Sequence, residues 1–281
     1  MVRMGDVWDR TMEVLNGRGG MLAGIAIPTL FVPGVVNAAL AAYAPPSTAT
    51  AVVAMLVMVA VAVIALWGQL AIIAAASDPA TDRTTAHAQA SRRLLAGVGV
   101  GLTLAVIVAV AFVPMAGLLV ASGLDWQAMS GGTPAAPTAP GYAAFAGLYG
   151  ALLFVVLLFV GSRLLPLYAV VLHERLGLGA IARCWRLTRR HSWRLFGVVV
   201  LFVVVLMVAS VAAQSVTGLV LRLILGADAV ATVTFLAATA GQAVSTALTL
   251  VAVVFSAQLY RAFVARDAML AARAAERREP A

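Results

Sequence analysis

The 281 residues are 63% hydrophobic and only 11% charged, against about 25% charged in soluble domains, and a chain of this length has no water-soluble core able to bury so much apolar surface. The net charge of +8 comes from nineteen arginines and no lysine set against eleven acids. These arginines sit beside apolar segments with no groove-reading motif, so anionic headgroups, not nucleic acid, are the expected counter-charge.

Residues 1–18 form a polar leader. Met4, Trp8, Met12 and Leu15 recur at helical spacing, with Asp6, Asp9, Arg10 and Glu13 away from them, which is the pattern of a helix lying in the membrane interface. The acids, and the long apolar stretch that follows, speak against a cleaved signal peptide. Residues 19–265 are read as a membrane domain with six uncharged segments, at 19–43, 49–76, 94–124, 142–162, 195–221 and 229–260. Each exceeds the roughly 20 residues that a helix needs to cross hydrocarbon. Unpatterned runs of this length are helices, because a backbone in lipid must pair its own N–H and C=O groups. Pro28, Pro33, Pro114 and Pro166 are expected to kink or end their helices. The connection from Ser122 to Gly141, with Gly131, Gly132, Pro134, Pro137 and Pro140, reads as a solvated loop. The last apolar segment is longer than a span needs, so its first residues are expected to form a separate interfacial turn. Residues 266–281 are a charged tail.

Between these segments the arginines alternate. Three precede the first, three follow the second, seven follow the fourth and five follow the sixth, while the other side receives only Arg222. Eighteen against one predicts both termini on the cytoplasmic side. Leu22-Ala23-Gly24-Ile25, Leu95-Ala96-Gly97-Val98 and Leu195-Phe196-Gly197-Val198 each stand where a polar segment enters an outgoing span. They suggest three helical hairpins. Gly20 with Gly24 and Gly97 with Gly101 have the spacing of close helix contacts.

The connection after the fourth segment carries the most charge. Arg183, Arg186, Arg190 and Arg194 fall on one stripe if residues 179–194 form a single helix, opposite Ile181, Trp185, Thr188 and Ser192. With Arg189 and the anchor Trp185, this stripe is the candidate contact for anionic lipid. The plainer alternative, that this segment and the leader only hold topology, stays open.

Residues 185–189, Trp-Arg-Leu-Thr-Arg, and 193–197, Trp-Arg-Leu-Phe-Gly, resemble the six-helix membrane-domain family associated with glycerophosphodiester phosphodiesterases. The resemblance implies a bacterial cytoplasmic-membrane protein working near phospholipid headgroups. The soluble barrel that performs hydrolysis in fused members of that family is not expected within these 281 residues, so that activity is not carried over.

Signs of catalysis are few. The six segments hold no ionisable carboxylate, arginine or histidine, where an intramembrane enzyme is expected to keep some. His173-Glu174 begins like a zinc-protease motif, but Gly177 stands where its second histidine belongs. His173, Cys184 and His191 share a connection without the spacing of a tight ligand pair. Neither an internal disulfide nor redox chemistry is expected of the single Cys184. Thr239, Gln242, Thr246, Thr249 and Ser256 follow one face of the sixth segment, and Gln214, Ser215 and Thr217 cluster in the fifth. Such residues either join helices or line a permeation path.

The expected fold is therefore all-α: six transmembrane helices with short interfacial helices and cytoplasmic termini. The expected role is a non-enzymatic membrane scaffold or accessory to phospholipid handling, with membrane phospholipids and unidentified proteins as partners and neither cofactor nor nucleic acid. A small transporter using the polar faces of the fifth and sixth helices is the alternative, and an intramembrane enzyme comes last.

Overall fold

Alanine, valine and leucine runs without charge leave the backbone one way to pair its polar groups, and the computed structural model takes it throughout. It describes residues 3–45, 47–123, 139–189, 192–226 and 228–276, which are mostly helical, with no strand among them. The expected solvated loop lies mostly outside them. Helix α1 (Met4–Ala26) passes through a π-helical turn (Ile27–Phe31) into α2 (Val32–Tyr43). Then follow α3 (Thr48–Ser77), α4 (Arg83–Ala121), α5 (Pro140–Arg163), α6 (Leu167–His173), α7 (Gly179–Thr188), α8 (Ser192–Leu225) and α9 (Val230–Glu276). Six helical stretches are long and apolar enough to cross a membrane, as in a multi-pass membrane protein: Met4–Tyr43, Thr48–Ser77, Arg83–Ala121, Pro140–His173, Ser192–Leu225 and Val230–Arg273.

Local chemistry sets several boundaries. Ser47 and Thr50 form a reciprocal capping box at the start of α3. Asp82 caps α4, its Oδ1 accepting from the Thr85 N–H at 2.9 Å. Hydrogen bonds from Thr84 and Thr85 hold the Asp82 carboxyl down at about 2. Pro166 stands between α5 and the short α6, whereas Pro114 lies inside α4, which continues past it. The separate turn expected before the sixth span does not form; α9 is continuous from Val230.

The first span is irregular where its two prolines stand. Pro28 has no N–H to give the carbonyl of Gly24, and Arg83 Nη2 donates to that oxygen at 2.8 Å. The wider π turn accommodates the prolines, with Val32 N–H closing on Ile27 O. Thr29 in this turn bonds back to Ile25 O at 2.7 Å and fills the space left by Gly68 of α3.

Helix α9 packs against α1, α2, α3 and α8, while α3–α4, α4–α5 and α5–α8 contacts complete the ring. Burial is concentrated at the arginine-rich end, where residues 70–77 of α3, Leu167 and Ala169–Leu172 of α6, and residues 253–260 of α9 are buried. Small residues make this possible. Ala71, Ala74, Ala75, Ala76, Ala86 and Ala90 are all within the core, and Gly97 lets Leu66 and Leu70 approach α4. Toward the other end, Met55, Leu56, Val110, Val113, Leu223 and Ile224 stay exposed.

Candidate functional site

The connection between α5 and α8 folds over the packed end of the bundle. In α7, Ala180, Cys184, Leu187 and Thr188 turn inward and are buried, while Trp185, Arg186 and Arg189 are exposed. The expected single helix over residues 179–194 is not formed. Helix α7 ends at Thr188 and α8 begins at Ser192, so Arg194, also exposed, belongs to the spanning helix. Helix α7 packs on α6, while α8 packs along α9. Arg190 and His191 lie outside the described residues.

Arg183 departs from the expected stripe as well. Its Nε donates to Glu174 Oε2 at 3.0 Å and Oε1 at 3.2 Å, and Nη1 lies 3.5 Å from Asp267 Oδ2. The network continues inward. Tyr260 donates to Glu174 Oε1 at 3.4 Å and stacks on the His173 ring, and His173 Nε2 lies 3.0 Å from Ser77 Oγ. Gln258 Nε2 adds a bond to Ala76 O at 2.8 Å. Together these groups pin α3, α6, α7 and α9 to one another. Arg18 reaches the same place from α1, donating to the carbonyls of Ala75 and Thr81, and of Asp78 at 2.9 Å. A cation there meets the partly negative C-terminus of α3.

Cys184 is structural in this setting. Its thiol donates to Arg163 O at 3.2 Å, and burial, with a smaller effect from the Glu174 charge, pushes its pKa up to about 12. Such a thiol is inert at neutral pH. Among the described residues no group of three His, Cys, Asp or Glu side chains is arranged to hold a metal.

At the edge of the packed end, Arg163 lies over two rings, with its Cζ 4.2 Å from the Trp185 centroid and 5.1 Å from that of Phe159. Trp193 and Phe196 extend the aromatic group, 5.9 and 6.0 Å from Phe159. Trp193 is 79% exposed. Nothing in the charge stripe singled out Arg163, although its position as the first arginine after the fourth apolar segment was a signal.

The leader is helical as expected but continuous with the first span. One side, with Met4, Trp8 and Met12, lines an apolar groove of about 530 Å3 against Val198, Phe202, Leu248 and Phe255. The other side, with Arg3, Asp6 and Arg10, faces Gln258, Arg266 and Met269. Since α1 meets the apolar part of α9 on one side and its charged end on the other, it crosses α9 obliquely.

The polar face of the sixth span is largely occupied by helix contacts. Gln242 Nε2 donates to Leu30 O in the π turn at 3.3 Å and to Thr246 Oγ at 3.4 Å. The side chain fits because Gly34 has no methyl group to meet it. Thr239 and Ser256 bond to Phe235 O and Val253 O of their own helix, while Thr249 is half-buried. Gln214 of α8 fills the space at Gly241.

A family profile for a domain of unknown function, DUF7847, matches residues 10–266, which include all six spanning stretches in whole or part. The chain belongs to this family. No curated protein and no solved structure matches it. The comparison itself shows no link to glycerophosphodiester phosphodiesterases.

Proposed function

We propose that this DUF7847 protein is a non-enzymatic scaffold or accessory in phospholipid handling, set in a bacterial cytoplasmic membrane with both termini inside. The observation that carries the reading is the outward set of Trp185, Arg186, Arg189 and Arg194 at the arginine-rich end, where each basic residue near an anionic leaflet contributes about 1 kcal/mol. Arg183 is engaged with Glu174 and Asp267 and in this reading shapes the site without facing lipid. Kinship with the phosphodiesterase-associated membrane domains, proposed from residues 185–189 and 193–197, agrees with a place near headgroups. The transporter alternative has the loosely packed far end in its favour. Against it stands the use of Gln242 and Thr246 in joining α9 to the first span.

Purification of the full chain in native lipid followed by mass spectrometry tests the reading. Enrichment of phosphatidylglycerol or cardiolipin over zwitterionic lipid is expected, falling when Arg186, Arg189 and Arg194 are together changed to glutamine. A lipid profile identical to that of the bulk membrane would remove the headgroup role. Reporter fusions check orientation, and periplasmic reporter activity at the C-terminus would contradict the assigned topology.

A further inference from the structure

Arg163 ends α5, and the cation is held against aromatic faces with no ion pair among the described residues. Its Nε is buried with no hydrogen-bond partner among the described residues. Cation–π attraction to Trp185 and Phe159 restricts where this guanidinium can go. Less freedom is therefore lost when an acceptor arrives. Arginine in this state matches the oxygens of a phosphate, which accept two parallel N–H bonds. The surroundings place that phosphate at a membrane boundary. Trp193 is exposed beside Phe159, tryptophan favours headgroup depth, and the apolar length of α5 begins directly behind Phe159. Arg186 is exposed on the same short helix as Trp185, and Arg189, just past its end, is exposed too.

We propose that Arg163, seated on Trp185 and Phe159, binds the phosphate of an anionic phospholipid whose acyl chains lie along the exposed apolar face of α5 and α8. The inference rests on the headgroup reading above and narrows it to one site. Arg163 makes the directed contact, and Arg186 and Arg189 supply the preference for anionic over zwitterionic headgroups. The Cys184 bond to Arg163 O fixes the main chain at this position, which keeps the guanidinium over the Trp185 ring.

The full-length protein, delipidated and returned phosphatidylglycerol or phosphatidylcholine in separate samples, is measured by native mass spectrometry with thermal unfolding followed in parallel. Arg163→Gln is expected to lower bound phosphatidylglycerol about fivefold, and Arg163→Lys less, because lysine keeps the charge but not the planar fork. Arg222→Gln, at the opposite end, is expected to leave binding unchanged. If Arg163→Gln does not fold, Trp185→Leu replaces it and is expected to cost about threefold by removing the stacking face. Wild-type retention by the folded Arg163 variant, or by the Trp185 variant where that one is used, overturns the assignment of the site. Loss on changing Arg186, Arg189 and Arg194 would in that case leave the wider headgroup reading standing. Equal retention of both lipids by the wild type sinks the wider reading and the site together. Displacement of the lipid by millimolar inorganic phosphate would make the ligand a free phosphate and overturn the lipid assignment.

Discussion

The two ends of this bundle are built from the same helices and behave as different materials. At the arginine-rich end, α3 is Gly68-Gln69-Leu70-Ala71-Ile72-Ile73-Ala74-Ala75-Ala76-Ser77 and residues 70–77 are buried without interruption. At the far end the same helix is Ala51-Val52-Val53-Ala54-Met55-Leu56-Val57-Met58-Val59, and all but Val57 are exposed. The exposed half is the one richer in large apolar side chains. In hydrocarbon, lipid tails solvate valine and leucine as well as a neighbouring helix does, so apolarity alone gives no reason to associate. Close packing follows where small residues let backbones approach and where polar groups have partners that lipid lacks. Here both devices coincide at one end.

Substitutions at the two ends should therefore differ in proportion. The largest effect is expected from Gly68→Val, which drives a side chain into Thr29 at a cost of about 3 kcal/mol. Met55→Val at the exposed end is expected to change stability by less than about 0.5 kcal/mol. Comparable losses in detergent unfolding would erase the distinction between the ends. Next is Arg18→Met, which removes the donors that close the end of α3. A loss of about 2 kcal/mol is expected, measured by the same unfolding, and an unchanged midpoint would show those carbonyls to be satisfied by water.

Gln242→Leu is predicted to cost only about 0.6 kcal/mol, the average for hydrogen bonds between membrane helices, and to leave a folded protein. It also sharpens the choice between scaffold and transporter. Single cysteines at 242, 246 and 249, placed in Cys184→Ser protein, are expected to resist a water-soluble thiol reagent, and rapid labelling confined to those positions would favour a wetted path. The smallest effect is on Cys184 itself. With its thiol raised to about 12, it stays protonated across the physiological range, and maleimide labelling of the folded wild type at pH 7 to 8 is expected to be negligible. Ready modification would show that the packed end opens.

The six spans were legible because hydropathy reports where hydrocarbon begins and ends. Helix ends were not, since α1 runs unbroken from the leader into the first span and α9 continues to Glu276, beyond its uncharged segment. A helix stops for want of capping or packing, not on leaving lipid. At the candidate site, the charge of the connection was evident and its division was not. Arg183 turns toward Glu174 and Asp267 while Arg186, three residues on, is exposed. That outcome depends on Asp267, 84 positions away, which no helical stripe encodes. Arg163 falls on no charge stripe, because it has no charged neighbour at helical spacing. Its partners are aromatic rings, one on its own helix and one on α7.

The π turn of the first span also ties folding to the order of synthesis. Gly24 O receives its donor from Arg83, which is made only after the second span is complete, and Leu30 O receives one from Gln242, in the last span. A nascent chain thus carries its most irregular helix into the membrane first and secures it in two stages, the second only when the final helix arrives. The last span acts as a latch on the first, and a ribosome-arrested chain ending before residue 242 should hold a first helix that remains free to shift.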